Sequence, residues 1–586
     1  MKSPKKHRIV IIGGGFAGVE VARRLQARLP IDWETILYSR ENHFVFTPML
    51  AEVVGSALTP IHVVCPIRLM VRYVSSRTAQ VVGFDPKTQE VIFKRPDGQL
   101  GRDPYDHLVL AAGLAVNVNI VPGMGTYGWQ IKTLGDALVL RNRVVGQLER
   151  AQVTVSPELK ARLLSFAVVG GGITGIEVAG SIADLLKEGC RYYDRINPEE
   201  IRVTVVHGPP RILDQFPESL SSFALRKIRK GGVDIRTGVR VEAVTVEGIR
   251  LKGGEFVKAG TVISAVGNTI QPLFADAGLP VVRNRIKVTP EMRVEGYDNV
   301  WALGDCAAVL NALDGSISPT LGQFAIRQAR QVAENLRAVI GGRPPKPFRY
   351  RMQGMFATIG RNNAVGLSYG VHFSGFLASL AWHAIYWARM PTMTRKVKVA
   401  LDWFLDRFSP PNIVGFSTLP TESKVHIDDG RRLEPLIDKY PELRQLRVAD
   451  VMDRSVPTLK RHVSIAEAIR LVREEGTLAF PVVDDDGRMQ GICTRSDLYS
   501  AIGSLRSPDT VVEEIMKSPV ITAREDTSID EVIQLARTNE VRRLVVVSDA
   551  SPDRPIGMLT YIDIVHWFTA HHRDRPAASS QGRTQQ

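Results

Sequence analysis

The sequence predicts an α/β protein in which two tandem units on parallel sheets are followed by a helical region and a pair of smaller α/β repeats. Three observations carry this. The segment RIVIIGGGFAGVEVARRL returns as SFAVVGGGITGIEVAGSI, a strand, a glycine turn and a helix used twice. Around both copies, over residues 9–120 and 165–270, short β-branched runs alternate with helical patterns, which implies crossover connections and parallel pairing. A different repeat then occurs twice near the C-terminus, over 448–502 and 511–567.

Composition narrows the field. A chain of 586 residues is too long for one core, and 44% hydrophobic with 23% charged residues is ordinary globular usage. The four cysteines lie far apart with no CxxC or zinc spacing, which points to a reducing compartment, no disulfide framework and no metal site. The net charge of +14 favours an anionic partner, either a nucleotide or an acidic membrane surface. No basic run with interleaved aromatics is present, so no nucleic-acid partner is expected. Lys2, Lys5, Lys6 and Arg8 ahead of Ile9–Ile12 imitate a signal peptide, but the apolar run breaks at once into Gly13-Gly14-Gly15. That reads as a strand feeding a phosphate loop. Nowhere does the sequence hold the ~18 uncharged apolar residues of a spanning helix.

The first unit, 7–120 with a return over 286–345, opens on Gly13-x-Gly15-x-x-Gly18, with Phe16 and Ala17 starting the helix. Gly13 permits the turn, Gly15 lets the backbone approach a pyrophosphate, and Gly18 lets helix and strand pack closely. The helix N-terminus adds free N–H groups and the positive end of its dipole. Gly170, Gly172 and Gly175 repeat the pattern in the second unit, 160–285, with Ile173 opening its helix. Both are Rossmann-like dinucleotide sites. The acidic residue that usually follows to bind ribose is missing from each: Ser39, followed by Arg40-Glu41, ends one strand and His207 the other. Glu41 is a substitute carboxylate for the first. His207, with Arg211 nearby, removes the charge that repels a 2′-phosphate, so the donor stays open between NADH and NADPH. The runs VLAAG, ending at Gly113, and ISAVG, ending at Gly267, read as the strand-to-glycine crossings that close each half. In NVWALGDCA, Asp305 sits where it can bond a flavin ribityl or pyrophosphate, or else cap a helix.

Taken together, residues 7–416 resemble the type II NADH dehydrogenases, single-chain FAD enzymes that reduce quinone at a membrane surface. The stretch YSRENHFVFTPMLAEVVG is similar to the family's flavin loop, where Ser at the strand end is tolerated. The resemblance implies Arg40 along the adenine, Thr47-Pro48 near the flavin ring, and Gly123 and Gly125 at the domain crossover. It implies Glu177 near the junction of nicotinamide, flavin and quinone, where a carboxyl with a raised pKa can relay protons. SPTLGQFAIRQARQVAENL resembles the quinone-site helix; Gln323 and Gln328 match it, while Arg327 stands where glutamine is usual. Arginine is larger and permanently charged, which alters the quinone geometry. No cysteine pair lies in His43–Val54, and Cys65, Cys190 and Cys306 do not have the spacing of a sulfide-oxidising site. Flavin-mediated direct hydride transfer is what remains.

The region 346–416 contains SGFLASLAWHAIYWARMPTMTRKVKVALDWFLDRF, in which Trp382, Tyr386, Trp387, Trp403 and Phe404 accompany Arg389, Arg395, Lys396 and Lys398. Aromatics beside a basic cluster suit helices lying in an anionic headgroup plane, or else a pair of ordinary buried helices. A linker over 417–447, with one short helix around Leu433–Leu446, leads to the terminal repeats, and the tail from Asp574 is expected to be disordered. Each repeat carries Thr-x-x-Asp, at Thr494 with Asp497 and at Thr560 with Asp563. They resemble a tandem CBS pair, a module that commonly binds adenosine nucleotides. That implies Asp497 or Asp563 on ribose hydroxyls and Thr494 or Thr560 on phosphate; simple packing or dimerisation stays open beside it.

The sequence thus predicts a peripheral NAD(P)H:quinone oxidoreductase at the cytoplasmic face of the membrane, a homodimer, without proton pumping and with adenine-nucleotide regulation by the CBS pair. A soluble oxidoreductase with another acceptor and a redox or nucleotide sensor remain as rivals.

Overall fold

The computed structural model describes residues 6–415 and 446–567, apart from short internal stretches. The predicted linker helix and the tail lie outside the described residues. The chain divides into two compact units, 1–416 and 417–586.

In the first unit, two five-stranded parallel sheets repeat one plan. The first runs, edge to edge, Val300–Ala302, His107–Leu110, His7–Ile12, Trp33–Ser39, Ser75–Thr78. The second runs Gly128–Gln130, Thr261–Ser264, Ser165–Val169, Arg202–His207, Val233–Thr237. The strands are near-continuous apolar runs because both faces are covered; Ile9, Val10 and Ile11 are fully buried, as are Ala167 and Val168. Each opening strand feeds a helix, Phe16–Leu25 or Ile173–Gly189, from its C-terminal end, where the strand order reverses and ligands bind in such sheets. A short antiparallel pair, Ala115–Val116 with Asn268–Thr269, ties the two halves just beyond Gly113 and Gly267. Residues 300–340 return to the first sheet, and the helix Gly322–Ile340 packs against Phe16–Leu25. Glu20 clamps the pair, bonding Arg23, Arg24 and Arg330.

An antiparallel sheet, Gly354–Thr358, Ala364–Ser368 and Val371–Ser374, leads to the helices Gly375–Arg389 and Met393–Asp406. Among the described residues no helix is long and apolar enough to cross a membrane. The aromatics of these helices divide between two faces. Trp382 is 1% exposed and packs with the half-buried rings of His383, Tyr386 and Trp403. Phe376, Leu377, Leu380, Val397, Leu401, Phe404, Leu405 and Phe408 face solvent instead. The expectation that Trp382 would meet headgroups is corrected by its burial; Trp403 donates to Glu52 and Tyr386 lines a cavity, and aliphatic and phenyl groups dominate the outer face.

In the second unit, the sheets Leu459–Lys460, Ala479–Val483, Met489–Thr494 and Thr522–Arg524, Arg543–Ser548, Ser551–Thr560 share one topology, a parallel then an antiparallel pairing. The repeats exchange their leading segments. Val448, Val451 and Met452 pack in the core of the second repeat, with Ile529, Leu544 and Leu559, while Val512 packs in the first, with Ile465, Phe480 and Cys493. Main-chain bonds fix the exchange, Asp453 pairing with Met558 and Lys517 with Ile492 in both directions.

Candidate active site

The two glycine turns do the same three jobs. Gly13 and Gly170 hold φ of 124° and 116°, and a Cβ on either would strike the backbone of the neighbouring strand end, at Ala111 or Ala265. A Cβ on Gly18 or Gly175 would strike the carbonyl of Gly13 or Gly170. At Gly15 and Gly172, by contrast, a Cβ would meet no atom within 4 Å. The outer glycines are required by the fold, and the middle ones border open space at a helix N-terminus, where a phosphate has access to free N–H groups.

Within residues 1–416, a cavity of about 720 Å³ lies between the two dinucleotide-binding halves. On its wall stand the predicted residues Phe16, Thr47, Gly172, Ile173, Glu177, Gly267, Asp305 and Gln323. Ala17 lies behind it, buried against the Gly304 turn, and Gly113 holds a positive φ at the strand crossing. Arg40 is exposed at the end of Trp33–Ser39, and His207 ends the matching strand of the second sheet; neither lines the cavity.

Asp305 is the middle residue of a 3₁₀ turn, Gly304–Cys306, whose N-cap position is taken by Leu303, so it does not cap that turn. Gln328 supports the turn by accepting from the Gly304 amide at 2.8 Å. Burial raises the Asp305 carboxyl's pKa even with Lys132 and Arg285 nearby. Cys306 beside it is wholly buried and its thiol is pushed up to about 12, so it is inert packing.

Glu177 is 8% exposed, one turn into Ile173–Gly189. Burial pushes its carboxyl up to about 8, against a 3.2 Å hydrogen bond from the Thr358 amide; the charge of Glu52 adds to the rise. Glu52 accepts from Trp403 Nε1 at 3.1 Å and lies 3.5 Å from His383 Nε2. Burial alone would lower the His383 pKa, but Glu52 prevails and raises it. Tyr386, on the cavity wall, has its phenol pKa raised by burial, with Glu177 contributing. Glu52, Tyr386, His383 and Thr358 were not singled out by sequence reasoning for this centre. Their positions depend on how the C-terminal helices fold back, for which no local motif exists.

Gln323 separates this cavity from a second of about 460 Å³ and lines both. Its Oε1 accepts from Tyr350 Oη at 3.0 Å and its Nε2 donates to the Gly354 carbonyl at 2.7 Å. One amide N–H is thereby left over. Arg327 lies on the second cavity with its guanidinium 5.4 Å from the centre of the Tyr350 ring. The arginine is thus accommodated by stacking and does not fill the first cavity.

Residues 7–330 match the pyridine nucleotide-disulphide oxidoreductase family, and residues 448–504 and 512–570 match the CBS domain. The type II NADH:quinone oxidoreductase Ndh of Mycobacterium tuberculosis is 31% identical over 420 residues, spanning 68% of this chain and 88% of that one. The chain belongs to the type II NADH:quinone oxidoreductases. Demethylphylloquinone reductase NdbB of Synechocystis is similar to this oxidoreductase as well, at 30% identity over 408 residues, 68% of this chain and 95% of its own. In fold, NDH2 from Plasmodium falciparum in complex with NADH matches with a TM-score of 0.66 at 18% identity, covering 70% of this chain and 100% of that chain. The disulphide in the broader family name has no counterpart here. All four cysteines of this type II oxidoreductase are free and buried.

At the CBS pair, Thr494 and Asp497 bond each other, the Thr494 amide and hydroxyl donating to one Asp497 oxygen at 2.9 and 2.5 Å. Thr560 and Asp563 do the same at 2.7 and 2.6 Å. The other Asp497 oxygen meets Lys517 at 3.0 Å.

Proposed function

We propose that the chain is an FAD-dependent NADH:quinone oxidoreductase, peripheral at the cytoplasmic face of the membrane and without proton pumping. The observation that carries this reading is the single cavity bordered by both dinucleotide clefts, with Glu177 and Gln323 on its wall. FAD, when bound, accepts a hydride and supplies two electrons to an acceptor. The first cleft suits it on three counts: the open space at Gly15, the cavity-lining carboxyl of Asp305 as acceptor for sugar hydroxyls, and Thr47 with Phe16 on the cavity wall. Arg40 would hold the adenine end. Gly170, Gly172, Ile173 and Gly175 offer the NADH pyrophosphate the same backbone donors.

Quinone reduction consumes two protons. Glu177, with a carboxyl at about 8, holds a proton at neutral pH and can deliver it to a quinone oxygen across the cavity. Gln323, its orientation fixed by Tyr350 and Gly354, presents its remaining N–H to the quinone carbonyl. The exposed apolar face of Gly375–Arg389 and Met393–Asp406, flanked by Lys398 and Arg389, supports docking to an anionic bilayer from which quinone enters. The CBS pair is read as an adenine-nucleotide regulatory module and a contributor to a homodimer; Asp563, with no ion pair among the described residues, is the better placed of the two aspartates to accept a ribose.

Anaerobic NADH should bleach the purified yellow protein, and a short-chain quinone should restore its colour. A folded chain that cannot be reconstituted with flavin, or whose colour quinone does not restore, refutes the reading.

A further inference from the structure

The ribose end of the second cleft has a composition that the hydride reaction does not explain. In dinucleotide sites an acid at the end of the second strand accepts the ribose hydroxyls and repels a 2′-phosphate. Here that position is His207, and its ring is already committed. The Gly171 amide donates to His207 Nδ1 at 3.0 Å, so Nδ1 is the acceptor and the proton sits on Nε2. Nε2 is buried and has no geometrically formed hydrogen bond among the described residues. The ring packs over the glycine turn, where a Cβ on Gly171 would lie 2.9 Å from it. No acceptor on His207 remains for a diol, and burial lowers the ring's pKa against the opposing charge of Asp214.

The charge beyond the strand is positive. Arg240 lies against Gly208, the next residue, where a Cβ would meet its Cγ at 3.4 Å and its Nε at 3.8 Å. Arg211 follows on the same turn, its Nη2 donating to the Asp214 backbone carbonyl at 3.1 Å. Neither arginine has an ion-pair partner among the described residues, whereas Arg236 nearby is held by Asp234 and Glu255. Asp214, the carboxylate on this turn, is exposed, and its charge reaches the His207 ring.

We propose that this cleft accepts a 2′-phosphorylated coenzyme, so that NADPH serves as a donor alongside NADH, with Arg211 and Arg240 supplying the charge for the phosphate and His207 setting the selectivity. The inference rests on the reading of the second cleft as the nicotinamide dinucleotide site. Arginine–phosphate contacts are charge-assisted and directional, so losing one is felt by the phosphorylated ligand alone.

The test is calorimetric titration of the full chain with ADP-ribose and with 2′-phospho-ADP-ribose, neither of which can transfer hydride. The two should bind within about threefold of each other. Arg240→Ala and Arg211→Ala should each weaken the phosphorylated ligand about tenfold and leave ADP-ribose within about twofold. His207→Glu should weaken the phosphorylated ligand by about tenfold or more through repulsion. An ADP-ribose preference above about tenfold in the unaltered chain, or equal weakening of both ligands by the arginine variants, overturns the proposal. If neither ligand binds, the dinucleotide reading of the cleft falls too, which separates the two failures.

Discussion

Glu177→Gln isolates the proton from the electron chemistry, because the amide keeps the shape of the side chain and removes the titration. Moving a carboxyl from 4.5 to about 8 makes ionising it in place cost about 5 kcal/mol. At pH 7 roughly nine-tenths of the chains therefore carry the proton, against well under one-hundredth for an unperturbed glutamate. Turnover with a soluble quinone should fall away above pH ~8 in the unaltered chain as that proton is lost. The glutamine variant should lose about a hundredfold in quinone turnover at neutral pH and should lack the alkaline limb, while flavin reduction by NADH is retained. Stability supplies an independent reading. The folded chain keeps a proton that the unfolded chain releases between pH 4.5 and about 8, so this group's contribution is complete below 4.5 and is lost as pH rises to about 8. Thermal unfolding followed from pH 5 to pH 8 should thus show the variant gaining on the unaltered chain. Undiminished quinone turnover with the alkaline limb intact would refute the assignment.

The glycines should separate fold from ligand: Gly18→Ala, which strikes the Gly13 carbonyl, should cost more than about 1 kcal/mol in denaturant unfolding. Gly15→Ala, with open space around it, should unfold normally yet bind less flavin by absorbance. The helices after Ser374 should behave as two faces. Trp382→Ala should lose about 3–5 kcal/mol of stability, whereas Leu377→Asp with Phe404→Asp should unfold normally, keep soluble-quinone turnover and sediment far less with anionic vesicles.

The twin clefts were legible because glycine is chosen there for steric reasons that leave no alternative. Gly13, Gly18, Gly170 and Gly175 are each forced by a backbone contact, and such constraints are written into the sequence directly. The terminal repeat was legible from its doubled Thr-x-x-Asp. What escaped depended on direction. Trp382 and Trp387 share a helix and a composition, yet one is buried and the other exposed, and residue type alone does not say which. The surroundings of Glu177 likewise come from Glu52, Thr358 and Tyr386, brought together only by tertiary packing. Sequence reasoning identified the carboxyl; its environment is what makes it an acid at neutral pH. His207 was visible as a missing acid, but the commitment of its ring to Gly171 was not.

The crossed leading segments of the terminal repeats have a consequence for how that unit can respond. Neither half owns a complete interior, since Val448 and Val451 plug one and Val512 the other. The pair must therefore melt as one cooperative body. A ligand that tightens either half stabilises both, because Leu446–Asp453, which leads into the first repeat, is held by main-chain bonds to Thr527, Ile529 and Met558 of the second.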